Sequence, residues 1–277
     1  MKLANINNLV ELFFLVYNRK KKDDYFLNNL KKPIKRFSWR DTSENIHKLS
    51  EAISKYIVKG DRCMIISENR PEWMITDLAI MMSKGITVPA YTTYAQRDYE
   101  YIINDCLPSI IFVSNKHQFE KIKKTVSKKD YIKKIISFDE LNLENDQKVL
   151  NIKNIFNNDV RKEREFKNID ICRKDPACII YTSGTQGNPK GVILSHGGIL
   201  SNCQGSYKLL QFMIKDKTKF LTWLPLSHSY EHTIQFVQIA VGGNVFYAES
   251  LDKLLKNMGE CSPCLLYTSP SPRDKRQ

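Results

Sequence analysis

Between residues 63 and 114 three short apolar runs alternate with two stretches of helical period, and this alternation restricts the fold more than any other feature. The runs 63–67, 86–90 and 110–114 have the length and β-branched content of buried strands. Pro71 suits the first turn of a helix carrying Trp73, Met74, Leu78, Met81 and Met82, which stops at Gly85. Residues 97–106 form a second amphipathic helix. Strands joined through helices by short connections pair in parallel, because the crossover returns the chain to the same edge. The segment therefore predicts an α/β fold: layered, parallel-rich sheets with flanking helices.

The rest of the chain extends this pattern. Ile46, Leu49, Ile53 and Tyr56 recur at helical spacing over 41–59, with Thr42 or Ser43 as the cap, and Gly60-Asp61 turns the chain. A solvated helix is expected over 121–134 and a strand over 134–138. Residues 140–170 are polar and Asn-rich and read as a long surface excursion. Strands are expected at 177–182, 191–195, 220–224 and 244–248, with a loop over 183–190 and a helix after Gly198. Trp73 and the methionines near it read as core. The apolar run 9–17 is interrupted by Glu11 and is far shorter than the ~20 residues of a membrane span. It is either a first helix packed on the domain or a helix lying on a membrane surface.

The net charge of +13 raises the possibility of an anionic partner. Its lysines are spread along the whole chain among Asn and Ile, the pattern of an AT-rich coding sequence, and no nucleic-acid-binding motif accompanies them. No specific nucleic-acid partner is expected, only weak, salt-sensitive binding. Seven cysteines at irregular spacing suit a reducing cytosol rather than a disulfide framework. Cys261 and Cys264 form a lone C-x-x-C without a second pair or clustered His.

Chemistry concentrates in Tyr181-Thr182-Ser183-Gly184-Thr185-Gln186-Gly187-Asn188-Pro189-Lys190-Gly191. Glycines let a ligand approach the backbone, successive N–H groups make an anion-binding concavity, and the hydroxyls add uncharged donors. Lys190 adds a compact positive charge. One Lys–phosphate pair at ~4 Å gains about 4 kcal/mol at an effective dielectric near ~20. The segment reads as a phosphate clamp rather than a plain surface hairpin. It is not a Walker loop, because Pro189 precedes Lys190, Gly191 follows it, and the next run, Val192-Ile193-Leu194, is strand-like rather than helical.

This segment closely resembles the phosphate-binding signature of the adenylate-forming superfamily, Y-T-S-G-T-T-G-x-P-K-G, and departs from it only at Gln186. Leu224-Pro225-Leu226-Ser227-His228 resembles the family's next motif, L-P-L-x-H. Gly60-Asp61-Arg62, Ser67-Glu68-Asn69-Arg70-Pro71-Glu72-Trp73 and Val88-Pro89-Ala90-Tyr91 look like the start of long-chain acyl-CoA synthetases, as does Tyr101-Ile102-Ile103-Asn104-Asp105. The resemblance implies part of the large domain of the adenylate-forming fold, about half of a full-length member.

The resemblance also implies a reaction. A long-chain fatty acid attacks the α-phosphate of ATP to give acyl-adenylate and pyrophosphate, and the CoA thiol then displaces AMP. Such chemistry rests on positioning and charge neutralisation. By resemblance Thr182, Ser183, Gly184, Thr185, Gln186, Gly187 and Lys190 hold the phosphates. Thr182 contacts Mg²⁺, and Lys190 and His228 serve catalysis, with His228 beside the carboxylate and the adenylate. In long-chain members the place of His232 is often Arg or Trp bordering the acyl entrance, and the His here departs from that. Three alternatives stay open: a ligase that loads a carrier protein instead of CoA, a non-catalytic nucleotide-binding fragment, and a basic nucleic-acid binder. A fatty-acid substrate also fits a cytoplasmic protein with loose peripheral membrane association.

Residues 1–263 are thus expected to be native and 264–277 foreign. Cys264 through Asp274 reads as the translation of a transposase sequencing adapter, which removes the C-x-x-C from consideration. The family's later motifs, among them the metal-binding Glu and the carboxy-terminal lid with its catalytic Lys, are not in the sequence, so the chain as written is expected to be inactive.

Overall fold

The computed structural model describes residues 3–142, 147–158, 166, 169–182, 188–210, 212, 214 and 218–264. In chain order the first half contains α1 (Leu9–Tyr17), β1 (Tyr25–Asn29), β2 (Lys35–Ser38), α2 (Trp39–Ile53), β3 (Arg62–Ile66), α3 (Pro71–Met82), β4 (Ile86–Ala90), α4 (Gln96–Cys106), β5 (Ile110–Val113) and α5 (Lys116–Val126). Then follow β6 (Lys134–Ser137), β7 (Val149–Asn151), α6 (Ile152–Phe156), β8 (Pro176–Thr182), β9 (Lys190–Ser195) and α7 (His196–Leu210). β10 (Lys219–Thr222), α8 (Ser229–Val241), β11 (Asn244–Tyr247) and α9 (Leu254–Cys261) complete the described chain.

Two sheets organise these elements. The larger has the order β7-β6-β5-β3-β4-β8-β9, parallel throughout except for the antiparallel edge strand β9. The smaller has the order β10-β11-β1-β2 and is likewise parallel up to an antiparallel edge, β2. Alternation along β3 assigns its two faces. Cys63 and Ile65 join a core with α1, α2, α3, α7 and α8 that also takes Phe26, Leu27 and Val245 from the smaller sheet. Met64 and Ile66 join a second core under α4 and α5. The helices of the first core therefore lie between the two sheets, and the fold is the α/β layered arrangement expected.

Several elements depart from expectation. α2 begins at Trp39 rather than at 41, because Ser38 and Asp41 exchange hydrogen bonds in a capping box that satisfies two free N–H groups. α5 lies earlier than 121–134: Asn115 accepts the Gln118 N–H, and the helix buries Phe119, Ile122 and Val126. The expected excursion 140–170 contributes an edge strand, β7, and the short α6, while 143–146, 159–165, 167 and 168 lie outside the described residues. α7 starts before Gly198. β1 and β2 have no counterpart in the sequence reading.

α1 is a core helix, which decides against a membrane-surface role for it. Leu9, Val10, Leu12 and Phe13 are each 0% exposed. Fully burying one such side chain contributes roughly 1.5–3 kcal/mol. Its first N–H, from Leu9, donates to Nδ1 of buried His196 at 3.3 Å. Burial holds His196 down at about 4, so it stays a neutral acceptor. Among the described residues no helix is long and apolar enough to cross a membrane.

Candidate functional site

The carboxyl ends of strands from both sheets converge on one cleft of about 590 Å³. β3 leads into Ser67–Arg70, β4 into Tyr91–Thr93, β10 into Trp223 and β11 into Ala248–Leu251, and all of these line it. Ligands of open α/β sheets bind outside the carboxyl ends of the strands, so the topology alone marks this edge. Lys31, Lys32, Lys35, Arg70 and Lys153 face the cleft against Glu68, Asp139 and Glu249, which leaves it net positive.

Glu72 organises the base of the cleft. It sits in the first turn of α3, where a carboxylate also suits the helix dipole. Arg70 donates to both its oxygens, at 2.9 and 3.1 Å, and Lys35 donates at 2.9 Å. Arg70 reaches Asp139 at 3.0 Å as well. Burial pushes the Glu72 carboxyl up, but Arg70 and then Lys35 outweigh it and hold the group at about 2. Burial disfavours the charged Arg70, but Glu72 and then Asp139 outweigh it and raise its pKa.

One wall is the segment that precedes α8. The Asn69 side chain bridges it: Nδ2 donates to the Leu224 carbonyl at 2.6 Å, and the Leu226 N–H donates to Oδ1 at 2.9 Å. Trp223, Pro225 and Ser227 thereby face the cleft. His228 follows as the N-cap of α8, and its Nδ1 accepts the Tyr230 N–H at 3.2 Å. An imidazole that accepts at Nδ1 carries its proton at Nε2, so exposed His228 offers a donor there.

The glycine-rich segment joins β8 to β9. Thr182 stands opposite Lys190 at the root of this antiparallel hairpin, and both are exposed. Neither lines the cleft. Ser183, Gly184, Thr185, Gln186 and Gly187 lie outside the described residues. Below the root, buried Tyr181 donates its hydroxyl to Asp105 of α4. Burial and then this carboxylate push the phenol pKa up. Gly191 faces Tyr181 across the ladder, and a Cβ there would stand 2.8 Å from Ile179 Cγ2 and 3.3 Å from the Tyr181 ring. Glycine is thus required by close packing, apart from any part it plays toward a ligand.

A model of the AMP-binding enzyme family matches residues 16–272. The chain belongs to the AMP-binding enzyme family. It is 31% identical over 219 residues to fatty acyl-CoA synthetase A of Dictyostelium discoideum, covering 76% of this chain and 32% of that protein. Long chain acyl-CoA synthetase 5 of Arabidopsis thaliana is 27% identical over 248 residues, covering 86% of this chain and 37% of the relative. The chain thus spans about a third of the length of these curated relatives. Among solved structures, the luciferase-like enzyme of the mealworm Zophobas morio superposes with a TM-score of 0.80 at 18% identity, covering 96% of this chain and 60% of that one. The N-terminal domain of FACL13 from Mycobacterium tuberculosis gives 0.78 at 16%, covering 98% and 67%. These likenesses establish the fold.

Within this AMP-binding fold, the two expected site groups occupy different places, the hairpin root at the sheet edge and His228 beside the cleft wall. Trp73 and Met74 are core, both 0% exposed. His232 does not border an entrance: it is fully buried and bonds Asp77. The sequence reading missed Glu72 and Asn69 as organisers, although both lie in the quoted run from Ser67 to Trp73. Their signal was a carboxylate and an amide beside Arg70, directly after a strand. A magnesium ion takes about six oxygen ligands, usually including a carboxylate or phosphates. Among the described residues no group of three or more His, Cys, Asp or Glu could hold a metal. Of the expected metal contacts the described residues include the Thr182 hydroxyl, an oxygen donor that fits an ion arriving on a nucleotide's phosphates.

Proposed function

We propose that this chain carries the phosphate-binding hairpin and part of the acid-binding wall of an ATP-dependent long-chain fatty acid–CoA ligase. The supporting observation is the hairpin itself, a signature loop whose root pairs Thr182 with Lys190 at the end of a parallel strand, in a chain whose relatives are named as long-chain acyl-CoA synthetases. In this reading Lys190 and residues 182–187 bind the phosphates of ATP, and Thr182 touches the accompanying Mg²⁺. Lys190 neutralises the charge that develops on the leaving pyrophosphate. His228 donates from Nε2 to an oxygen of the fatty carboxylate or the adenylate. CoA then accepts the acyl group. The protein works in the cytoplasm, with its substrate drawing it loosely to membranes.

Because the chain spans about a third of these relatives, we expect it to bind nucleotide without turning over. Isothermal titration with Mg-ATP tests the first part, and Lys190→Ala should weaken binding about tenfold or more. Acid-dependent pyrophosphate release, assayed on the protein of the complete gene with and without CoA, tests the second. Release from long-chain acids with acyl-CoA as product supports the reading. Release that stops at acyl-adenylate moves the acceptor to a carrier protein, and no release with any carboxylic acid refutes it.

A further inference from the structure

Two ionisable side chains far apart in sequence meet between α3 and α8. His232 Nε2 and Asp77 Oδ2 are 2.8 Å apart, and both side chains are 0% exposed. Gln235 Nε2 donates to the same Asp77 oxygen at 3.0 Å. Trp73 packs edge-on against the His232 ring at 5.4 Å, and Phe236 covers it at 5.6 Å. Asp77 Oδ1 has no hydrogen-bond partner among the described residues, so the polar link from α8 to this carboxylate runs through its other oxygen.

This link lies one helical turn from the cleft. The His232 N–H donates to the His228 carbonyl at 2.9 Å, the first backbone bond of α8, and Asp77 lies on the helix whose first turn holds Glu72. The His228 ring is fixed by a single bond from Tyr230, within that same turn. We propose that Asp77 and His232 form a buried clamp whose role is to position His228 and the wall of the cleft. Its bearing on catalysis rests on the function proposed above; the clamp itself does not.

The clamp has a defined electrostatic setting. Burial disfavours the charged imidazole, and Asp77, followed by Cys178 of β8, outweighs this and raises the His232 pKa. Asp77 also acts on His196 of α7 and on Tyr247 of β11. A carboxylate ringed in this way by α7, α8 and β11 explains why a cation or a hydrogen-bond donor is needed at position 232, and His meets that need.

The test uses the purified chain with ¹⁵N-labelled histidine. The proposal expects His228 of the wild type to show a single Nε2–H tautomer. Asp77→Asn and His232→Leu should each convert it to averaged tautomers and speed amide exchange across 226–234 by about tenfold. The double variant should go no further than either single one, because both break the same link. Val126→Ala, a core truncation on the opposite face of the larger sheet, serves as the stability control and should leave these signals unchanged. A His228 signature in Asp77→Asn identical to that of the wild type, or the same change in Val126→Ala, overturns the clamp. Failure of the wild type to bind Mg-ATP would instead refute the proposed function and leave the clamp standing.

Discussion

Replacing Glu72 by Gln removes one charge from the base of the cleft and leaves the side-chain shape nearly unchanged. The carboxyl is held at about 2 against an ordinary 4.5. That difference is worth roughly 3 kcal/mol at neutral pH, since the group is buried and little screened. A carboxyl depressed on folding stabilises the protein above its unfolded value, and the benefit is lost as pH falls through the folded value. The gap between Glu72→Gln and wild type should therefore be roughly 3 kcal/mol at pH 7 and about 2 kcal/mol near pH ~3.5. Urea denaturation followed by the fluorescence of Trp39, Trp73 and Trp223 measures it, and subtraction of the two proteins at each pH cancels the titrating groups that do not touch Glu72 or its partners. A gap that does not shrink in acid, or one under ~1 kcal/mol at pH 7, would show that Arg70 and Lys35 do not hold Glu72 in this way.

Two further outcomes are expected. Gly191→Ala should cost about 1–3 kcal/mol, because its Cβ would press on Ile179 at 2.8 Å, and a melting temperature equal to wild type refutes this. Asn69→Ala removes both bonds to the segment before α8, at about 1 kcal/mol each, so the Leu226 amide should exchange faster in proportion to that loss.

The elements that local sequence specified are those with strong local signals. Pro71 at the first position of α3, the β-branched runs of β3, β4 and β5, and the turn at Gly60, where φ is +89°, all lie where they were expected. Each depends on neighbours a few residues away. The capping box at Ser38 and Asp41 was equally local and was overlooked in favour of Thr42 and Ser43. The strand β1 is different. Asn is depleted in strands, and Asn28 and Asn29 become strand because the chain pairs with β11, where Asn28 Nδ2 donates to the Val245 carbonyl 217 positions away.

The same division runs through the candidate site. Lys190, Thr182 and His228 were legible as candidates because each lies in a contiguous motif that resembles one of the family's. His232 could not be understood in that way, since its partner Asp77 is 155 positions distant and only the folded chain brings the two together. Glu72 likewise gains its role from Lys35, 37 positions earlier, and Asn69 from Leu224, 155 positions later. Sequence by itself singled out the candidate phosphate-binding segment and the runs that become parallel strands, because those signals lie within a few residues of one another. Tertiary structure decided which polar groups are buried together, because desolvation and pairing depend on neighbours that only the folded chain supplies.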